Sequence, residues 1–376
     1  MLDKDQLVLQ GTLLFSLLIS LLVEFWVRSC GFIMTPDSYN YISASQSFRS
    51  DFTFLSPDET RFSNWPPLFP MFLSLFKNPS VAMSVCHVIC KVVVAIFLLI
   101  FANQFLKQQI FKGFFILTFF LSVHLLLISV FLWSEIIFIT LLVLHIYTVL
   151  RMQDNRFFYF TMLLSGFLLC LQRNAGVFCI LAITVWIMTD ENKLLPKRIL
   201  QSVIYFSVCS LGLWIWHFYN VFLPDSLPFY ERDFFSDIFT NVQFMLSVIG
   251  SAFLPFRKVP AMISGLLIII VLIFCWRRYF IADRFTKLLV LVIAIYLMGF
   301  LPIPNLEIND MERYFAIILP FILLLSLMIL ERLIKVNRYP IVLTICLCIW
   351  LIYPTARMYR NALQWRSMSC SSSITK

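Results

Sequence analysis

Charge is what this sequence has least of. Only 13% of its 376 residues are Asp, Glu, Lys or Arg, about half the roughly 25% of an average soluble domain. A chain so poor in charge cannot wet the surface of a soluble enzyme, and one that is 61% hydrophobic is not a disordered protein. Histidine is scarcer still, at four residues, and no cluster of carboxylates and His is visible, so a resident divalent metal is not indicated. The ten cysteines are scattered, most of them inside apolar runs, and no CxxC pair is matched by a second. Neither a zinc site nor a disulfide framework is expected. No Asn-x-Ser/Thr sequon occurs, because Asn78 is followed by Pro79, which fits a bacterial source.

What fills the chain instead is apolar. Forty-one Phe and nine Trp, with a mean hydropathy of +0.89, describe a polytopic all-α membrane protein whose solvent is lipid. Runs long enough to span occur near 7–27, 80–104, 113–133, 135–150, 157–172, 175–189, 199–221, 260–276, 287–303, 315–331 and 340–354. They predict about eleven transmembrane helices. The first run is too long for a signal-peptide core and has no small-residue cleavage site, so it is expected to stay as an anchor. The net charge of +9 does not point to nucleic acid. Lys and Arg cluster between the runs, around 107–112, 151–156, 193–198, 277–287 and 332–338, all on one side when the N-terminus is inside. That is the positive-inside pattern. Two stretches carry basic residues on the other side, the loop 28–79 and the tail 355–376.

The run 241–256 is ambiguous, and its polar, aromatic flank favours a helix lying at the outer interface. No internal repeat and no appended soluble domain appear. A single membrane-embedded domain, 1–354, followed by a short basic extracytoplasmic tail, 355–376, accounts for the chain. The outer face carries a long loop, 28–79, and a second, 222–259, whereas the cytoplasmic loops are short. A protein elaborated on one face is expected to work there, and the bacterial inner membrane, with the active side facing the periplasm, is the expected setting.

The first outer loop reads TPDSYNYISASQSF and then DETRFSNWPPLFPMFLSLF. Asp37 lies near the interface, and Tyr41, Ala44, Ser45 and Phe48 follow it at helical spacing. Pro66, Pro67 and Pro70 set a turn into an apolar segment, 68–76. The plainest role for Asp37 is to cap the helix that follows it. Glu135 opens an apolar run, Arg173 sits between two runs, and Lys91 lies midway through the second with His87 one turn earlier. Such charges cost about 2.5–3.5 kcal/mol at the centre of a span and tend to face a polar cavity. For Glu135 and Arg173 the competing role is an interfacial charge that snorkels. For Lys91 it is a structural pair with Glu24 or Glu135, and His124 and His145 read as packed helix residues. Arg313 and Tyr314 precede a span that contains Pro320, and Arg357, Arg360 and Arg366 add cations at the same level. One carboxylate with several cations suits an anionic lipid head group and a proton-accepting step.

PDSYNYISAS followed by NWPPLFPMFLSLF, then SEIIF at 134–138, QRNAG at 172–176 and ERYFAIILP at 312–320, resembles the GT-C fold glycosyltransferases that use polyprenyl-phosphate sugars. That superfamily includes the protein O-mannosyltransferases and the bacterial enzymes that add aminoarabinose or other sugars to lipid A. The resemblance implies a GT-C-like fold and transfer of a sugar from a polyprenyl-phosphate donor to an acceptor hydroxyl, with inversion, outside the cytoplasm. The acceptor class, whether lipid, glycan or protein, stays open. Asp37 would be the catalytic base, and Arg313, Arg173 and Lys91 would bind the donor phosphate. Tyr41, Glu135, Glu59, Arg61 and Tyr314 would orient the acceptor. No metal or other cofactor is implied with certainty. Many members have paired acids in the first loop, whereas here Ser38 follows Asp37 and the acidic pair Asp58–Glu59 comes later, so a base at that pair is the competing assignment. A surface-polysaccharide polymerase or ligase and a lipid-linked sugar flippase or transporter are the alternative functions.

Overall fold

Proline and small polar side chains set most of the helix starts. The computed structural model describes residues 4–63, 65–191, 193–221, 237–279, 281, 283–303, 306–334 and 340–374. Residues 222–236 of the second outer loop, Asn64 of the first-loop motif, and Lys335 and Arg338 lie outside them. Helix α1, Lys4–Val27, is followed by α2, Pro36–Asp51, and the short α3, Leu68–Ser74. Asn78 caps α4, Pro79–Phe105, by accepting from the amides of Ser80 and Val81. The run predicted at 113–133 is two helices, α5, Gln109–Phe120, and α6, Val123–Val130. Ser122 breaks them, its hydroxyl accepting from the Leu125 amide at 3.1 Å, and together they still cover one span, Gln109–Val130. Then come α7, Glu135–Arg151; α8, Arg156–Gln172; α9, Gly176–Met188; and α10, Leu195–Val221. The rest is α11, Ile238–Phe253; α12, Lys258–Tyr279; α13, Arg284–Phe300; α14, Ile308–Leu333; and α15, Pro340–Ile374.

Every one of the eleven predicted runs coincides with a helix or, for α5–α6, a helix pair. Among the described residues seven spans are long and apolar enough to cross a membrane, and the chain is an integral, multi-pass membrane protein. The core is a continuous apolar cluster built largely by α4 to α9, α13 and α14. The outward faces of α1, α12 and α15 stay apolar and exposed, as with Leu14, Leu18, Ile263, Ile270, Ile345 and Ile349. Exposed apolar side chains on spanning helices are what a lipid solvent requires.

One feature extends the expectation and two depart from it. The ambiguous run 241–256 is the 16-residue helix α11, too short to be counted with the spans, and it pairs closely with α12. A Cβ on Gly250 would fall 1.9 Å from the Ala261 carbonyl oxygen, and one on Gly265 would fall 2.0 Å from that of Leu246. Backbone meets backbone along this pair, a packing that only glycine permits. Next, the tail is not a separate segment. Helix α15 runs unbroken for 35 residues through Pro354, roughly 50 Å at 1.5 Å per residue. Finally, one disulfide exists where none was expected, and Cys30 is bonded to Cys370 across a sequence separation of 340. A single pair that far apart leaves no spacing pattern to read.

Candidate active site

Asp37 is free because another residue does its expected job. Thr35 is the N-cap of α2. Its hydroxyl accepts from the Ser38 amide at 3.3 Å, while the Ser38 hydroxyl accepts from the Thr35 amide at 3.1 Å. With Pro36 completing the first turn, this reciprocal cap satisfies the helix end and leaves the Asp37 carboxylate to act elsewhere. The same residues dock α2 onto the strand-like stretch before α7. The Ser38 hydroxyl donates to the Leu132 carbonyl at 3.1 Å, the Trp133 indole donates to the Thr35 hydroxyl at 2.9 Å, and the Ile33 amide donates to the Val130 carbonyl at 3.1 Å. Docking brings Asp37 over the start of α7, where Glu135 is the first residue.

Four charges that the sequence scattered over 277 positions meet there. Arg313, near the start of α14, donates from Nε and Nη2 to Glu135 Oε1 at 2.9 and 2.6 Å. Its Nη1 and Nη2 reach Asp37 Oδ2 at 3.2 and 3.3 Å, and Nη1 also reaches Asp310 at 3.2 Å. Arg173, in extended conformation at the C-cap of α8, pairs with the same Glu135 oxygen at 2.6 Å and donates to the Ser134 hydroxyl at 3.1 Å. Glu135 is fully buried, and Arg173 and Arg313 nearly so at 6%. Asp37 retains 23% of its side-chain exposure. The guanidinium of Arg313 lies 3.8 Å above the Trp133 ring, which stacks on Phe131 with ring centroids 4.2 Å apart. Burial pushes the Asp37 carboxyl above the usual aspartate range, with the Arg313 guanidinium pulling the other way and Glu135 adding to the rise.

Above this cluster opens a cavity of about 1060 Å³. Asp37, Trp133, Asp310 and Arg313 line one part of it. Arg257 and Lys258 from the α11–α12 turn line another, together with Arg357, Arg360 and Gln364 of α15. Arg357 is taken, donating to Glu312 at 2.6 Å and to the Ser251 carbonyl at 2.6 Å. Arg257 and Lys258 have no carboxylate partner among the described residues, and Arg360 lies within electrostatic reach of Glu312, which Arg357 already holds. Phe256 belongs both to this cavity and to an apolar groove of about 540 Å³ along α12, walled by Leu254, Ile263, Leu267, Ile268, Val271 and Leu272.

The remaining expected site residues divide. Tyr314 stays at the cluster, stacked on Phe300 at 4.0 Å with Arg173 5.8 Å from its ring. Tyr41 also stays at the cluster, its hydroxyl at Ser134 and within reach of Arg173, Glu135 and Asp37, but its ring is buried against Phe62, Trp65 and Phe69 and it does not line the cavity. Glu59 sits in a turn at φ +64°, and Asp58 beside it is exposed, its carboxylate held by the Thr60 amide and hydroxyl. Arg61 lies over the Tyr219 ring. The late acidic pair is therefore not at the cavity. Lys91 belongs to a different cluster. Its ammonium pairs with Glu24 at 2.5 Å and donates to Ser20 at 3.0 Å, and Glu24 also holds Arg28 and His87. The long Lys91 side chain is fully enclosed between α1 and α4 and cannot reach the cavity. Glu312, Arg257 and Lys258 were missed, since each is a charge at the end of an apolar run and reads as an ordinary loop cation or carboxylate. No group of three or more potential metal-binding side chains occurs among the described residues.

By sequence the chain matches no protein-family model and no curated protein. Its fold does have solved counterparts. The crystal structure of ArnT from Cupriavidus metallidurans bound to undecaprenyl phosphate superposes with a TM-score of 0.61 at 13% identity, over 86% of this chain and 60% of that one. The apo form of the same protein gives 0.59 at 14% identity, over 88% and 61%. The likeness establishes a GT-C-like fold. The chain spans about 60% of the length of these structures.

Proposed function

We propose that this protein is a GT-C-type membrane glycosyltransferase that moves a sugar from a polyprenyl-phosphate carrier to an acceptor hydroxyl on the extracytoplasmic side. One observation carries the reading. A single cavity has an accessible carboxylate, Asp37 on Arg313, cations outside any direct ion pair among the described residues, Arg257, Lys258 and Arg360, and an apolar groove that joins it at Phe256. Carboxylate, cations and groove match the three parts of such a reaction: an acceptor proton to remove, a phosphate to release and a long hydrocarbon to hold. The undecaprenyl phosphate of the ArnT complex supports the last two. The disulfide supports the side, because Cys30 and Cys370 sit at the cavity end of the molecule and disulfides persist in oxidising compartments.

Asp37 takes the hydroxyl proton as the acceptor oxygen forms its bond to the anomeric carbon. The bond from that carbon to the phosphate oxygen breaks on the opposite face, its electron pair leaves with the polyprenyl phosphate, and the sugar is inverted. A carboxylate is a weak base for an alcohol, so the transition state carries oxocarbenium character and proton transfer is late. Arg257, Lys258 and Arg360 meet the leaving phosphate with charge already in place. Arg313 orients Asp37 through its two contacts, and Glu135, backed by Arg173, holds Arg313 still.

The test is release of free polyprenyl phosphate from a panel of polyprenyl-phosphate sugars by the purified protein in lipid. Wild type turns over at least one donor and Asp37→Asn turns over none. Wild-type rates in the Asp37→Asn protein would refute the base assignment, and absence of both turnover and donor binding across the panel would refute the donor class.

A further inference from the structure

Helix α15 continues well past the length a span needs, and its extension has a defined inner face. Arg357, Arg360, Asn361, Gln364, Trp365 and Met368 all line the cavity, at the three- and four-residue intervals of one helical stripe. Met358, Ala362 and Trp365 pack against Val27, Ile33, Val130 and Phe131. The stretch is tied at both ends. At the near end Arg357 grips Glu312 and the Ser251 carbonyl. At the far end Cys370 is bonded to Cys30, and the Ser369 hydroxyl donates to the Gly31 carbonyl at 2.7 Å. The other partner of that far tie is the segment that leads into Asp37, through Ile33 on Val130 and Thr35 at the cap of α2. One covalent bond therefore joins the segment carrying the carboxylate to the stretch carrying Arg360.

A helix that runs on past its span opens locally unless something holds it. Beyond Trp365 the contacts include Arg366 over the Trp26 ring at 4.7 Å, Ser369 on Gly31, and the disulfide. We propose that the extension of α15, fixed by Cys30–Cys370, is a substrate-positioning wall in which Arg360 binds the phosphate of the lipid-linked substrate. This rests on the donor class proposed above and adds the element that holds the donor and the bond that keeps the element in place.

Two measurements on the full-length protein in lipid nanodiscs test it, with undecaprenyl phosphate as the probe. Hydrogen exchange across residues 355–370 is independent of any ligand. Cys30→Ser/Cys370→Ser raises exchange there, as reductant does in wild type, and unchanged exchange overturns the tether. In equilibrium binding, Arg360→Gln weakens undecaprenyl phosphate by about tenfold, as expected for one charge-assisted contact, with no change in exchange, and Arg360→Lys restores most of the loss. The double serine variant weakens binding by a similar factor. Combining it with Arg360→Gln adds little, because a displaced wall has already removed Arg360. Full hundredfold additivity or wild-type affinity in Arg360→Gln overturns the wall's role in binding. No binding by wild type overturns the donor class and Arg360's part together, while exchange still decides the tether.

Discussion

Asp37 is held by Arg313 yet partly open to the cavity, and its raised pKa has consequences of opposite sign for activity and stability. A base works ionised, so transfer falls as pH drops through the raised value, and the acid limb lies above the ~3.9 of an unperturbed aspartate. Removing Arg313's pull raises Asp37 further. Arg313→Gln therefore moves the limb of kcat/KM to higher pH, and an unmoved limb would mean that another group titrates. Stability runs the other way. A carboxyl whose folded pKa is raised favours the fold when protonated, and that contribution is lost as pH rises through the folded value. Asp37→Asn, inactive, is expected to melt no lower than wild type at neutral pH and slightly higher, a trade of stability for function. Glu135→Gln behaves differently. It removes the shared counter-ion of two buried arginines, and breaking a buried pair costs about 3–5 kcal/mol, so thermal unfolding falls sharply. Lys91→Met lowers the melting temperature but leaves undecaprenyl phosphate affinity unchanged, since Lys91 serves Glu24 and not the cavity.

Residues of this kind were legible to different degrees. Asp37, Glu135, Arg173 and Arg313 could be picked out because a charge in an apolar run is expensive, and motif order linked them. What sequence alone could not supply was the neighbour. It does not show that Thr35 takes the cap, that Glu24 lies against Lys91, or that Glu312 meets Arg357.

Among the elements, the apolar runs were the easiest to read, because an 18- to 20-residue span leaves an unmistakable trace. The α11–α12 pair was not, for its defining feature is the absence of two side chains. Gly250→Ala is the corresponding prediction. A methyl directed at the Ala261 carbonyl forces the pair apart, at about 1–3 kcal/mol for overpacking. The α11–α12 turn carries Arg257 and Lys258, so donor affinity should fall along with the melting temperature. A loss of stability without loss of affinity would separate this packing from the site. The continuity of α15 through Pro354 was equally hidden, since proline inside a run usually reads as its end. Its missing amide is tolerated within a span, where neighbouring groups can satisfy the freed carbonyl.

For the whole molecule, the organising fact is that α2, α7, α8, α12, α14 and α15 all bring charge to the cavity end while the outward faces of the spanning helices stay apolar. That polarity was visible in the sequence as one-sided loops, but the cross-link was not, and it imposes an order in time. Cys370 emerges 340 residues after Cys30, so the bond can close only once every intervening helix has been inserted. At about 5–20 residues per second of synthesis, the Cys30 thiol waits roughly 20–70 seconds for its partner. Oxidation at this pair thus waits on every helix between the two cysteines, and the bond records that the chain from Cys30 to Cys370 has been threaded.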